Sequence, residues 1–255
     1  MREVMRDFAA STLWRISAFQ RVRAETGTSG FMRLSGGPTL LPTTLLSDLR
    51  QLEEDLQEGD ALEVIAACIR HREPALLCLQ HEQLVWPVTI FPNERLYHSP
   101  RDMAGASAEG LAELKVLTVE PPGVRPPGHW MHERIGQAEC YRGLAPLLWT
   151  MALNGPRRSL LAEIGGTAAY RVVDRSAIDG LSAPGALGSA IERLRRESVS
   201  LRDMVRWPGM NLERGARLLN ALYLTSSLMI TRTNPAARSE PGLLRGLFGA
   251  GKSRR

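Results

Sequence analysis

Apolar residues at spacings of three and four open the chain. Met5, Phe8, Ala9, Leu13, Ile16 and Phe19 fall on one face of a helix, while Arg2, Arg6, Arg15 and Arg21 lie mainly off it. Such a basic amphipathic helix packs on its own domain, docks on a partner or lies on a membrane surface. After a glycine-rich break, GTSGFMRLSGGP, helical patterning returns in TTLLSDLRQLEEDLQEGDALEVIAACIRHRE. Thr43 or Thr44 caps a first helix there, and Gly59-Asp60 divides it from a second. Glu53, Glu54 and Asp55 make a solvated face, because neighbouring helical residues point about 100° apart and do not converge on one substrate atom.

The pattern changes at Pro74. PALLCLQ and LVWPVTIF, separated by HEQ, are short and rich in Leu, Val, Ile and aromatics, which predicts a β-hairpin. Pro87 places the second strand at an edge or a bulge. Prolines punctuate FPNERLYHSPRDM, LKVLTVE predicts a further strand, and the Pro-rich loop at 121–128 reads as a stiff surface connector. YRGLAPLLWTMALNGPRRSLLAEIGG predicts two helices broken at Asn154-Gly155-Pro156, the proline suiting a helix start. TAAYRVV predicts a strand, and a domain boundary is expected in DGLSAPG, near residue 180.

Beyond that boundary the spacing predicts a helix, a short helix from Ser200, a turn at Trp207-Pro208-Gly209, a longer helix capped by Asn211, and the strand SLMITR. Leu201, Met204, Met210, Ala216, Leu219 and Leu222 are spaced so that three helices share one small core. Over residues 184–232 this pattern resembles a winged-helix or helix-turn-helix module. The resemblance implies that the helix after Asn211 presents Arg214, Arg217 and Asn220, either to a major groove or to a protein. Two features depart from it: TNPAARSEP follows SLMITR and offers no return strand, and Glu213 sits where base contacts are expected. Trp207 is either an exposed docking aromatic or a plug for its own core.

The expected fold class is therefore α+β. N-terminal helices with a small, mainly antiparallel sheet occupy residues 1–180, a winged-helix-like helical module occupies 181–235, and a flexible basic tail occupies 236–255.

Composition narrows this picture only slightly. The 255 residues, 44% apolar and 23% charged, are enough to bury a real core. No stretch of about 18 apolar residues predicts a membrane span, and the N-terminus lacks the apolar run of a secretory signal. A cytoplasmic protein with three reduced cysteines, Cys68, Cys78 and Cys140, is expected. Lys115 and Lys252 are the only lysines. The arginine bias, with abundant Ala, Leu, Gly and Pro, suggests a GC-rich bacterial genome. It weakens the net charge of +5 as a sign of an acidic partner.

Candidate chemistry is sparse. Gly246 to Ser253, GLFGAGKS, fits the phosphate-loop pattern, but only Arg254 and Arg255 follow, so the helix that would cradle a phosphate is missing. The match reads as coincidence. Leu243, Leu244, Leu247 and Phe248 among Arg245, Lys252, Arg254 and Arg255 instead suit a partner or a peripheral contact with an anionic surface. Cys68-x-x-His71 and Cys78-x-x-His81 do not converge if the second unit is on a strand. His129, His132 and Cys140 lack the spacing of zinc modules. G-x-S-x-G, H-E-x-x-H and G-x-G-x-x-G are all missing.

No catalytic, cofactor-binding or metal-binding residue is assigned. From Ile191 onward thirteen Arg or Lys stand against five Asp or Glu. The leading expectation is a non-catalytic regulatory or protein-interaction protein that docks through Trp207, Arg214, Arg217 and Asn220. The alternatives are a DNA-binding transcriptional regulator using the same helix and an unrecognised enzyme, which would need a histidine and a carboxylate converging in a pocket.

Overall fold

The structure is a computed structural model that describes residues 13–25, 41–55, 60–108, 114–174 and 176–233. The chain enters it as a two-residue strand, β1 (Trp14–Arg15), and a helix, α1 (Ile16–Glu25). The expected amphipathic helix therefore begins at Ile16, because Trp14 and Arg15 pair antiparallel with a neighbouring strand at Val85 and Leu84. The part of that helix before residue 13 lies outside the described residues.

Two helices follow, α2 (Thr43–Asp55) and α3 (Ala61–His71). Asp60 starts α3 as its N-cap, its carboxylate accepting from Leu62 N–H at 2.9 Å. Ala61 to Cys68 are all buried, as expected of a helix inserted between other layers.

The hairpin comprises β2 (Ala75–His81) and β3 (Leu84–Phe91). It is extended by β4 (Leu96–His98), a short helix α4 (Met103–Ala108), β5 (Lys115–Glu120) and β6 (Tyr141–Gly143). The sheet order is β5-β2-β3-β4-β6, with β1 also on β3, and every pairing is antiparallel. Pro87 does not make β3 an edge strand. On the side of β3 away from β2, β1 covers residues 84–85 and β4 covers 89–91. Pro87 sits in the unpaired gap between them, where a missing N–H is tolerated.

Alternation along β2 and β3 sends side chains to two different interiors. Leu77, Leu79, Val88 and Ile90 join the main core, whereas Cys78 and Val85 pack with Phe19 of α1 in a smaller cluster.

The remaining elements are α5 (Leu144–Asn154), β7 (Ala169–Val172), α6 (Ala186–Arg196), β8 (Val199–Ser200), α7 (Leu201–Met204), α8 (Leu212–Leu224) and β9 (Leu228–Thr231). Ser200 caps α7 and Asn211 caps α8, the latter accepting from Arg214 N–H at 2.8 Å. The second helix expected after Pro156 is only a 3-10 turn at Ala162–Ile164. The N–H groups of Leu161 and Ala162 go to the side chains of Asn220 and Glu63 rather than to carbonyls one turn back.

A boundary near residue 180 does not divide these elements. β7 is the middle strand of a second sheet, β8-β7-β9, so it belongs with the helices that follow it. One continuous core also runs from Leu77 to Leu222, with α5 packed on α8. The fold is α+β, and no helix among the described residues is long and apolar enough to cross a membrane.

Candidate functional site

The segment between α5 and β7 crosses the seam where α3, α5 and α8 meet, and its irregular backbone requires partners there. Side chains supply them. Arg217 of α8 donates to the carbonyls of Leu153 at 3.2 Å, Gly155 at 2.8 Å and Arg157 at 3.1 Å. Asn220, one turn on, donates to Ser159 O and accepts from Leu161 N–H, both at 2.9 Å. Arg232 holds the carbonyls of Glu163 and Gly165, each at 2.9 Å.

The segment also binds α3 through charge. Arg157 bridges Asp60 and Glu63, the latter at 2.7 Å. Arg70 reaches both Asp48 and Glu163, and the Tyr223 hydroxyl donates to Glu163. Burial pushes the Glu63 carboxyl above its ordinary value, and the Ala162 N–H and Arg157 only partly oppose it. Burial likewise raises the Tyr223 hydroxyl, and the neighbouring Glu163 adds to the effect.

The residues expected to dock are therefore not all outward. Positions 214, 217 and 220 on one helix rotate by about 60° at each step, and that rotation carries them from solvent to interior. Arg214 is exposed, with one guanidinium nitrogen donating to Gly209 O at 2.7 Å. Arg217 is half-buried, pairs with Glu213 at 3.1 Å and is committed to three carbonyls. Asn220 is fully buried and contacts no solvent. It is thus withdrawn from any groove or partner surface, and a sequence signal for this exists in its setting, Leu218-Leu219-Asn220-Ala221-Leu222.

Trp207 is buried too, with the Arg193 guanidinium 4.6 Å from its ring centre. Its turn closes tightly on the start of α6. Gly209 has φ +74°, and a Cβ there would lie 2.8 Å from the Ala186 methyl. The indole is a core plug.

Arg214 and Arg217 share a feature that sequence did not reveal. Both line a cleft of about 440 Å³ between α5, the 180–184 connection and the starts of α6 and α8. Its α5 wall is the stripe Pro146, Trp149, Thr150, Leu153 and Asn154, the spacing of one helical face. Trp149 is held by its indole N–H donating to Ser182 O at 2.8 Å. Among the described residues no acidic side chain lines the cleft, and no carboxylate pairs with Arg214.

Other groups with chemical potential lie apart from this cleft. Cys68 is in the main core, where burial pushes its thiol up to about 12, and Cys78 is in the smaller cluster. His71 bonds Asp48 at 2.7 Å. His98 is buried beneath the Pro-rich segment, where burial and the Arg142 charge hold its imidazole below the ordinary value. Among the described residues, no three His, Cys, Asp or Glu side chains gather closely enough to hold a metal. The GLFGAGKS stretch and the basic tail lie outside the described residues. Against family models, curated proteins and solved structures, the chain finds no match.

Proposed function

We propose that this chain is a non-catalytic interaction protein that docks a partner in the cleft beside α8, with Arg214 as its charged contact. The observation that carries this reading is the juxtaposition of apolar walls with a solvent-facing arginine that no carboxylate among the described residues neutralises. The ionisable groups that do converge, around Arg70, Glu163 and Tyr223, bond to one another across the seam, which supports a structural role for them.

DNA binding through the same unit is the second reading, and one feature favours it. The place a returning strand would take beside β9 is filled by β7, so the resemblance to a winged helix gains its third strand from the chain ahead of α6. Against it, the later turns of α8 are covered, leaving Arg214 alone of the three expected reading residues in solvent.

Affinity for a random-sequence duplex, measured across a salt series, tests the choice. Phosphate contacts would give a steep fall of log affinity with log salt. We expect no such binding. A steep slope that flattens in Arg214→Ala would replace the interaction reading with the DNA reading.

A further inference from the structure

The cleft beside α8 also indicates what kind of partner it takes, an inference that rests on the docking reading above. We infer that its occupant is a peptide segment of a partner protein in which acidic side chains flank a large aliphatic one. Three observations lead there.

The first is charge. Two arginines and no acid among the described residues line the cleft. Glu213 answers Arg217, and Arg217 is further saturated by three carbonyls. The unmatched positive charge is therefore Arg214, with donors to spare after its single bond to Gly209 O. Arg214 stands in the first turn of α8, and Leu187 in the first turn of α6, whose N-cap Gly185 supplies no side-chain acceptor. The positive ends of both helices thus add to the arginine, and the side of the cleft formed by α6 and α8 favours an anion.

The second is the wall chemistry. Leu153, Leu181 and Leu187 are only partly buried and face the same space as Pro146 and Pro184. An aliphatic side chain seated among them removes apolar surface from water on both sides, at about 25 cal/mol per Å².

The third is shape. The volume lies within the range of about 300–1,000 Å³ that small ligands fill, but such ligands are buried by about 70–90%. Here Pro146, Asn154, Pro184 and Arg214 are exposed along the rim. An open trough of this kind fits a segment that continues past it at both ends. The chain's own residues 236–255 are a poor occupant, because their five basic residues and one acid would meet Arg214 with like charge.

The test uses the full chain as bait for a random twelve-residue peptide library displayed on phage. Selected peptides are then resynthesised and measured by fluorescence anisotropy. Arg214→Glu reverses the charge at an exposed position in the first turn of α8, where an acid is compatible with the helix. Asn154→Trp fills the trough from its rim without removing a core side chain. Both variants are checked by thermal melting.

Enriched peptides carrying Asp or Glu beside Leu, Ile or Met, weakened at least tenfold by either variant and unaffected by Trp130→Ala, are expected. Peptides that are basic, or that bind Arg214→Glu as tightly as the parent, would overturn the inference while leaving the interaction reading standing. Enrichment of nothing above the bare support would overturn both. A synthetic 236–255 peptide that binds the parent and is lost in Asn154→Trp would instead make the trough a site for the chain's own tail, and would overturn the inference.

Discussion

The segment between α5 and β7 and the Pro-rich segment between β5 and β6 are both irregular, and both lie against packed elements. They are held in opposite ways. At the seam, long polar side chains reach in and grip backbone: Arg157, Arg217, Asn220 and Arg232 all donate to carbonyls between Leu153 and Gly165. Over the sheet, backbone groups grip one side chain. The Tyr141 hydroxyl accepts from Gly136 N–H at 2.8 Å and donates to Arg125 O, while Arg125 N–H donates to Arg134 O at 2.9 Å.

The contrast shows where a surface stays available. Side chains spent on buried backbone are lost to partners, as Asn220 and Arg217 are. Where the backbone closes on itself, side chains are left out in solvent, as with Trp130, which is 76% exposed. A count of arginines on a sequence thus overstates the charge a helix can offer.

Breaking the seam should have the largest effect. Asn220→Ala leaves Leu161 N–H without its partner, and an orphaned buried group costs about 1–3 kcal/mol. A loss of about 2–3 kcal/mol in urea unfolding is expected. Arg214→Ala, six positions earlier on the same helix, should stay within about 0.5 kcal/mol of the parent. Equal losses for the two would erase the distinction between the turns of α8.

On the sheet side, Tyr141→Phe removes both hydroxyl bonds at once. The expected cost is about 1–1.5 kcal/mol, with faster hydrogen exchange at the Gly136 amide. Unchanged exchange there would mean that the Pro-rich cover is held by something other than this hydroxyl.

The smallest effect concerns pH. His98 lies under that cover, edge-on to the Tyr141 ring, and a Cβ on Gly136 would come within 2.6 Å of its Nε2. Burial, with the Arg142 charge, holds its folded value below the ordinary 6.5. The unfolded chain therefore takes up the proton first as pH falls. The stability tied to His98 is complete above pH 6.5 and is lost as pH drops through the lower folded value. His98→Gln should flatten the pH dependence of the urea midpoint below 6.5, and an unchanged profile would show that the imidazole is not confined.

Much of the fold is legible in the sequence. The hairpin, β5, α5 and the helices capped by Ser200 and Asn211 all stand where spacing and caps place them. What is hidden has a common cause. β1, β4 and β6 have two or three residues each and form because β3, and then β4, offer a free edge; so short a strand has no period to read. Pro156 suits a helix start by its own preference, yet Glu63 and Asn220, far away in the chain, claim the amides a helix would need. The candidate site is legible in a similar part. Arg214 belongs to it, and the apolar setting of Asn220 marks that residue as inward, whereas the direction of Arg217 is set by the carbonyls at the end of α5, which no local pattern on α8 discloses.

The position of β7 has a consequence for the order in which the molecule is made. Tyr170 and Val172 emerge from the ribosome well before Ile230 and Leu228, the residues they pair with. Until those arrive, the strand waits with one flank open, so the second sheet closes last. Synthesis through residue 231 is what completes it, and the seam becomes final only when that closing strand docks and Arg232 behind it reaches Glu163 and Gly165.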